Sequence, residues 1–225
     1  MKGLSEMHPY YAAKTDSLLD DFRAAVSQAA PEFEDLLGVG RLEDLAGRIE
    51  ASYREVIAQL PYVGGDEGRM TPFFERGLSL VALGRVLRAE GVGTGRIGRL
   101  TKAVFREYFA SIPEAGRRQL GTDFLSAGNR AVLEREAGRS QTREHPEDFV
   151  YSIVEAGEGE DFDLGIDYHE CGLSKFCHKH GDLDLLPHIC AVDFDAYALR
   201  SVGLERKTTL ASGAERCDFR FKAGS

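Results

Sequence analysis

The residue types that can perform covalent or acid–base chemistry are concentrated in one segment of the 225-residue chain, Asp167 to Phe221. All four cysteines and four of the six histidines lie in this segment. The first 145 residues contain no cysteine and two histidines. We therefore expect the chemistry of the protein in this segment, with the preceding chain supplying scaffold and pocket wall.

Cys190 and Asp193 have the spacing of two neighbours on one face of a helix. Because the predicted helix has Pro187 near its start, Cys190 would lie about one turn in, close to unpaired N–H groups and the positive end of the helix dipole. Such a position lowers the pKa of a thiol and makes it a better nucleophile. The alternative interpretation is a buried cysteine beside a surface aspartate, and the spacing alone does not decide between them.

Glu170 and Cys171 follow the second predicted strand. Successive strand residues point to opposite faces, so only one of the two would face a pocket if both lay within the strand. The turn at Gly172 relaxes this restriction. We therefore expect that both side chains can reach the same site.

Cys217 opens the last predicted strand, where the residues alternate between two faces. It shares one face with two phenylalanines, whereas Asp218 and Arg220 share the other. In one interpretation Cys217 belongs to the core, and Asp218 and Arg220 form an exposed ion pair. In the other, Cys217 reaches the same cavity as Cys190, and the pattern favours neither.

Several histidines and cysteines in this segment could be taken for metal ligands. Structural zinc sites usually show close Cys-x-x-Cys pairs, whereas five residues separate Cys171 from Cys177. We therefore predict no metal and no cofactor, with a zinc-containing site as the alternative. The residues considered are His169, Cys171, Cys177, His178, His180, His188 and Cys190.

Hydrophobic periodicity predicts the elements that must position these residues. In residues 1–145, apolar residues recur at intervals of three and four, as in amphipathic helices. After a polar linker, β-branched and aromatic runs alternate with two helical segments in the order ββααββ. The prediction is an α+β protein, with a helical region at 1–145 and an antiparallel-sheet region with helices on one face at 146–225. Predicted helices cover 16–29, 31–38, 41–60, 71–90, 96–111, 113–137, 173–180 and 185–201; predicted strands cover 148–154, 162–168, 204–210 and 216–221.

Composition excludes some classes of partner. The net charge is −9 and no basic stripe occurs, so we expect no nucleic-acid partner. No stretch has the ~20 apolar residues of a membrane span, and the first residues lack the apolar run of a signal peptide. We expect a cytoplasmic protein with cysteines as thiols.

With these residues in view, the chain resembles the L-2-amino-thiazoline-4-carboxylic acid hydrolase family. The resemblance covers about the last two thirds of the chain. Its most specific part is the ending Cys217-Asp218-Phe219-Arg220-Phe221 after a glycine. The ordered set comprises Leu60-Pro61-Tyr62-Val63-Gly64-Gly65, Glu90-Gly91, Glu170-Cys171, Cys190-x-x-Asp193 and Thr209-Leu210-Ala211-x-Gly213-x-x-x-Cys217-Asp218-Phe219-Arg220-Phe221.

The resemblance implies a hydrolase that acts on a non-peptide C–N bond of a small cyclic amidine. The namesake reaction adds water across a C=N bond of a 2-amino-thiazoline ring and gives a carbamoyl-cysteine. A thiolate can add to the electrophilic amidine carbon, and a carboxylate can hold the amidinium and move a proton. We expect Cys190 as the nucleophile, then Cys171, then Cys217, with Glu170 or Asp193 as the carboxylate.

Further residues are expected to bind the substrate. Arg220 would clamp a substrate carboxylate if its side chain turned inward. His169 or His188 would serve as a base near neutral pH. Asp218 is a further candidate, and Tyr62 would belong to a loop that forms a lid or wall over the pocket.

A second resemblance is to the 4-vinyl reductase-type small-molecule-binding domain of bacterial sensors. That domain holds zinc with Glu-x-x-Cys, a second cysteine and an upstream cysteine. Here Thr208 stands where the middle cysteine would be, which favours the hydrolase. The alternative function is a small-molecule-binding or sensor module without turnover, and this resemblance leaves a homodimer open.

Overall fold

A computed structural model describes residues 7–110 and 112–224. The chain forms two compact units, one covering the chain to Tyr108 with Asp184–Ile189, the other covering Phe109–Leu183 and the chain from Cys190. The predicted domain boundary at residue 145 stays a prediction, because a compact unit is a set of contacting residues and not a segment known to fold alone. No helix in the described part of the chain is both long enough and apolar enough to cross a membrane.

The first unit is built from helices. Tyr53 lies at its centre, where its hydroxyl donates to the carbonyl of Glu75 at 3.2 Å and its ring packs edge-on against Phe22. The imidazole of His8 caps the first helix by accepting from the N–H of Tyr10, so this helix begins seven residues before the predicted start. The helices are α1 (Pro9–Gln28), α2 (Ala30–Leu37), α3 (Arg41–Ile57), α4 (Thr71–Ala89) and α5 (Thr94–Ala110), the last of which runs into the second unit.

The second unit contains the predicted antiparallel sheet. Its strands are β1 (Val150–Val154), β2 (Leu164–Glu170), β3 (Val202–Glu205) and β4 (Cys217–Ala223), in the spatial order β1-β2-β4-β3. Its helices are α6 (Glu114–Leu125), α7 (Ala127–Ser140), α8 (Gly172–His180) and α10 (Val192–Ala198). The five-residue helix α9 (Leu186–Cys190) begins in the segment assigned to the first unit. The α+β class predicted from the sequence is confirmed.

The core of the second unit lies between one face of the sheet and helices α6, α7 and α10. Inward residues of β2 and β4 alternate as predicted, with Ile166 opposite Phe219 and Leu164 opposite the fully buried Phe221. Buried apolar surface contributes about 25 cal/mol per Å² to folding. The packing of the helices on this sheet face is therefore the main source of stability for the unit. Residues of this core include Leu133, Ala137, Tyr151, Leu164, Ile166, Tyr197, Val202, Phe219 and Phe221.

Two long predicted helices are each divided in the structure. The helix predicted at 113–137 is interrupted at Ser126, whose extended backbone and hydroxyl cap start α7 by accepting from the N–H of Asn129. The helix predicted at 185–201 is divided at Ala191. The second division matters for the site, because it separates Cys190 at the end of α9 from Asp193 in the first turn of α10.

Candidate active site

Strand pairing brings two cysteines to one end of the sheet. Tyr168, near the end of β2, lies opposite Cys217, the first residue of β4. Cys171 comes directly after β2 and forms the N-cap of α8, with extended backbone angles of φ −126° and ψ 118°. The antiparallel register of β2 and β4 is therefore what places Cys171 near Cys217.

Cys171 is a partly accessible thiol at a helix start. The pKa of Cys171 is raised to about 12, mainly because the thiol is buried, and Cys217 and Asp193 act in the same direction. The N–H groups of Ser174 and Leu173 act in the opposite direction and stabilise the thiolate. The resting group is therefore a protonated thiol.

Cys190 is the last residue of α9 and is also partly accessible. Burial raises the pKa of this thiol well above its usual range, and the charge of Asp193 adds to the effect. The prediction that a helix start would lower the pKa of Cys190 is wrong. The residue ends a five-residue helix and does not lie near the start of a long one, so desolvation dominates.

Asp193 is held by an arginine that sequence reasoning missed. Arg206 donates from Nη1 to Oδ2 of Asp193 at 2.5 Å and from Nη2 to the carbonyl of Cys190 at 2.9 Å. The Arg206 side chain is 5% exposed, and that of Asp193 is 31% exposed. Burial raises the pKa of Asp193 to about 6, and the Arg206 charge and hydrogen bond oppose that increase. Asp193 can therefore gain and lose a proton near neutral pH.

Cys217 belongs to the core, as one interpretation of the strand pattern held for this residue. Whether it reaches a cavity shared with Cys190 stays a prediction. It is buried in the core beside Phe219, and its Sγ accepts a hydrogen bond from the N–H of Leu210 at 3.2 Å. Burial raises its pKa. Its charge also acts on Cys171 and Cys190, so it borders the same group of side chains. We call Cys171, Cys190, Asp193, Arg206 and Cys217 the cysteine cluster.

Comparison with known proteins identifies the family. Residues 80–221, well over half of the chain, match the sequence profile of the L-2-amino-thiazoline-4-carboxylic acid hydrolases. The chain belongs to this family. No curated protein and no solved structure matches the chain significantly. The matched range contains the whole cysteine cluster, and the family name implies a hydrolase.

Glu170 lies beside the cluster in this family member but is engaged elsewhere. It forms ion pairs with Lys175 at 2.5 Å and with Arg143 at 2.6 Å. The hydrogen bond from Lys175 is the main cause of a pKa below the usual range, and Arg143 adds to it. Glu170 is thus an ionised carboxylate with two cationic partners, and its expected role in proton transfer stays a prediction.

Three of the expected substrate-binding residues lie on the sheet face opposite Cys217. Arg220 donates to Asp167 at 2.7 Å and does not pair with Asp218. Asp218 instead accepts from the two N–H groups of the loop at 207–208 and from the Thr208 hydroxyl. Burial opposes these hydrogen bonds, but they leave the pKa of Asp218 below its usual range. His169 shares a hydrogen bond of 2.9 Å with the Ser152 hydroxyl.

The interpretation of Asp218 and Arg220 as an exposed ion pair is wrong, because each has another partner. The alternation of β4 turns Arg220 away from the cysteine cluster, as the strand pattern predicted. Its role as a clamp for a substrate carboxylate, and the binding roles of Asp218 and His169, stay predictions.

Tyr62 and His188 belong to the first unit. Tyr62 stacks on His8 with ring centroids 4.2 Å apart, and it lies outside the range that matches the family. His188 lies against Gly98 of α5, where a Cβ atom would come within 2.8 Å of the imidazole Nδ1. The roles predicted for these two residues stay predictions.

Among residues 7–110 and 112–224, no three histidine, cysteine, aspartate or glutamate side chains are grouped as they would be around a metal ion. Cys177, which the sequence also offered as a ligand, is fully buried within α8. His180 stacks on Phe176 in the same helix, with ring centroids 4.2 Å apart. These side chains have packing contacts within α8.

Proposed function

We propose that this protein hydrolyses a small cyclic amidine of the 2-amino-thiazoline-4-carboxylate type, with a cysteine of the cysteine cluster as nucleophile and Asp193 as proton carrier. What supports the proposal is that Cys171, Cys190 and Cys217 each interact electrostatically with Asp193, whose pKa is about 6, and that Arg206 joins Asp193 to the carbonyl of Cys190. A general acid–base group is most effective when its pKa lies near the working pH.

Cys171 is our first candidate for the nucleophile, ahead of Cys190, which the sequence favoured. Two backbone N–H groups stabilise negative charge on the Cys171 sulfur, whereas the charge of Asp193 opposes ionisation of Cys190 most strongly after burial. Cys217 is more deeply buried, with 7% exposure. Cys171 is also a partly exposed residue at the start of α8, where the N–H groups of the first turn favour a sulfur that becomes anionic during the reaction.

The proposed reaction begins with addition of the Cys171 thiol across the C=N bond. The sulfur bonds to the amidine carbon, and Asp193 takes the thiol proton and passes it to the ring nitrogen. The ring sulfur then leaves with a proton given up by the exocyclic amino group, which opens the ring and leaves the amidine carbon bonded to Cys171 as an isothiourea. Water adds to this carbon, Cys171 departs as a thiol, and the product carries a carbamoyl group and a free thiol.

Burial of the cluster is consistent with this scheme. A thiol with a pKa of about 12 is not ionised at rest, so transfer of its proton must be coupled to attack on the substrate. A cationic amidinium near Asp193 would favour both the charged carboxylate and the developing thiolate. A cyclic amidine therefore supplies the positive charge that the resting site lacks beside Cys171.

The test uses single substitutions and a product that contains a thiol. Cys171→Ala, Cys190→Ala and Cys217→Ala are assayed with 2-amino-thiazoline-4-carboxylate and related cyclic amidines, and ring opening is followed by release of thiol. We expect loss of about 10³-fold or more in kcat/KM for Cys171→Ala, as for removal of a covalent nucleophile. Cys177→Ala, which removes the cysteine outside the cluster, serves as the control.

The same assays distinguish a hydrolase from a module that binds a small molecule without turnover. Full activity in all three cluster variants would exclude a cysteine nucleophile. A cyclic amidine that raises the melting temperature and is recovered unchanged would support binding without turnover. Whether the protein acts in the cytoplasm, and as a homodimer, stays a prediction.

A further inference from the structure

We propose that Arg206 is a positioning residue that fixes the Asp193 carboxylate against the cysteine cluster and keeps it charged. This inference rests on the proposed function, because it concerns the proton carrier of that reaction. One guanidinium contacts the Asp193 carboxylate and the Cys190 carbonyl together. It thereby fixes the end of α9 and the first turn of α10 relative to each other.

The surroundings of Arg206 favour a fixed guanidinium plane. Its central carbon lies 4.9 Å from the ring centroid of Phe219 and 5.0 Å from that of Phe194. Cation–π contacts of this kind orient the planar group while its N–H groups remain available for hydrogen bonds. Phe219 belongs to the hydrophobic core on the sheet, so the guanidinium of Arg206 is packed against the core of the second unit.

Stability alone is a poor explanation for this arginine. Ion pairs removed from water often contribute no net stability, because desolvation offsets their attraction. The Arg206 Nε is also buried and has no hydrogen-bond partner in the part of the chain that the structure describes. A buried donor without a partner costs about 1–3 kcal/mol. An arrangement with this cost is better explained by what it does to Asp193.

Four groups that interact electrostatically with Asp193 come from different parts of the second unit. They are Cys171 at the start of α8, Cys190 at the end of α9, Cys217 on β4, and Arg206 in the chain after β3. The three thiols are neutral at rest or add negative charge, so they do not stabilise a charged carboxylate. Arg206 supplies the positive charge that opposes the desolvation of Asp193.

The sign of the effect follows from these neighbours. Burial raises the pKa of Asp193 and Arg206 lowers it, with a result of about 6. Without Arg206, desolvation would act unopposed and the carboxylate would take up a proton at higher pH. If the charged carboxylate is the form that accepts the thiol proton, activity at neutral pH would fall and would return as the pH is raised.

The first experiment is a pH profile of kcat/KM for ring opening in Arg206→Met and Arg206→Lys. Removing an opposite charge at this distance raises the pKa of a carboxyl group by about 1–3 pH units. In the pH profile of Arg206→Met, the midpoint of the acidic limb should therefore lie higher by that amount. Arg206→Lys keeps the positive charge but not the planar set of N–H donors, so it should raise this midpoint by a smaller amount. Arg216→Gln, which removes an exposed arginine that contacts Asp167, is the matched control.

A purely structural role predicts a different result. It would lower kcat/KM by the same factor at every pH and leave the midpoint of the acidic limb unchanged. An unchanged midpoint in either folded variant overturns the proposal.

The second experiment does not require turnover. Alkylation of Cys171 by iodoacetamide is measured from its peptide by mass spectrometry between pH 4.5 and 9. Because the charge of Asp193 disfavours the Cys171 thiolate, the plot of log rate against pH should bend where Asp193 ionises. We expect a bend near pH 6 in the unsubstituted protein, a bend at higher pH in Arg206→Met and Arg206→Lys, and none in Asp193→Asn.

The two experiments separate the two proposals. If no cyclic amidine is opened but the bend moves with Arg206, the proposed function fails and the role of Arg206 stands. If ring opening occurs but the bend keeps its pH in the folded Arg206 variants, the role of Arg206 is refuted and the proposed function stands. Arg206→Lys retains the buried cation and so provides a folded variant if Arg206→Met unfolds.

Discussion

Arg220 forms an ion pair with Asp167, with 2.7 Å between Nη1 and Oδ1, on the sheet face opposite Cys217. Asp167 has 8% exposure and also forms an ion pair with Arg216, with 3.1 Å between Nε and Oδ2. The pair links β2 to β4 diagonally, since Arg220 lies opposite Gly165 and Asp167 lies opposite Asp218, next to the pairing of Tyr168 with Cys217. Arg220 therefore supports the sheet from one face while the cysteine cluster lies at the other.

This arrangement predicts that Arg220→Gln destabilises the protein. The substitution leaves a largely buried carboxylate with one arginine partner, and we expect a loss of about 1–3 kcal/mol in the free energy of unfolding. Urea denaturation at pH 7 provides the measurement. Lys222→Gln is the matched control, because Lys222 is on the same strand and pairs with the exposed Asp161. Equal stability of the two variants would show that the Asp167 pair contributes nothing.

The faces of the last strand at this site followed from local pattern, whereas the arginine did not. Alternation at 217–221 predicted the correct faces because side chains of a strand alternate and one face is buried. Arg206 stands in a charged run, Glu205-Arg206-Lys207, that has the composition of an exposed loop. Its partners lie 13 and 16 residues earlier on other elements. A contact of this kind depends on the tertiary fold, and no periodicity in the chain encodes it.

Helix boundaries, too, were predictable only where a strong local signal marks them. Pro72 at the start of α4 and the left-handed glycine Gly181 at the end of α8 are strong local signals. The division at Ser126 is weaker in sequence, because serine is compatible with a helix interior as well as with an N-cap. The position of Cys190 depended on such a division, and this is why its helix-dipole effect was predicted with the wrong sign.

Gly121 of α6 tests the packing of a helix against the chain before β3. A Cβ atom at this position would lie 2.0 Å from the carbonyl oxygen of Arg200, a backbone atom that cannot rotate away. We expect Gly121→Ala to destabilise the protein by about 1–3 kcal/mol, since overpacking outweighs the gain in helix propensity. Gly138→Ala in α7 has nothing within 4 Å and should stabilise by up to about 1 kcal/mol. Melting temperatures of the two variants should therefore change in opposite directions.

Glu170 should contribute to stability at neutral pH and not in acid. Its pKa in the folded protein lies below the ordinary value of 4.5, chiefly because of Lys175, so its stabilisation is present above that value and is lost as the pH falls through the folded pKa. The side chain is 27% exposed, so the contribution should be below about 1 kcal/mol. We expect Glu170→Gln to be less stable than the unsubstituted protein at pH 7 and equal to it near pH 2.5.

The control for this prediction is the exposed Glu158, in the turn between β1 and β2. Glu158→Gln should leave the free energy of unfolding unchanged at both pH values. A loss in Glu170→Gln that persists undiminished in acid would mean that the glutamate acts through packing and not through its charge.

Asp193 should have the opposite pH dependence. Its pKa in the folded protein is about 6, above the ordinary value of 3.8, so the folded state binds this proton more tightly than the unfolded state. Between these values the unfolded carboxylate is already ionised while the folded one is still protonated, and stability falls as the pH rises. A displacement of about two pH units corresponds to at most about 3 kcal/mol. Since the side chain is 31% exposed, we expect about 1–2 kcal/mol.

Comparison with Asp193→Asn isolates this titration from other effects. The substitution leaves Arg206 without its carboxylate, but the cost is the same at pH 4 and pH 7 because arginine stays charged at both. The free energy of unfolding of the unsubstituted protein minus that of Asp193→Asn should therefore decrease from pH 4 to pH 7. Urea titrations at both pH values measure this difference. A difference that stays constant or grows would show that Asp193 is ionised throughout, and it would then be unable to donate a proton to the ring nitrogen near neutral pH.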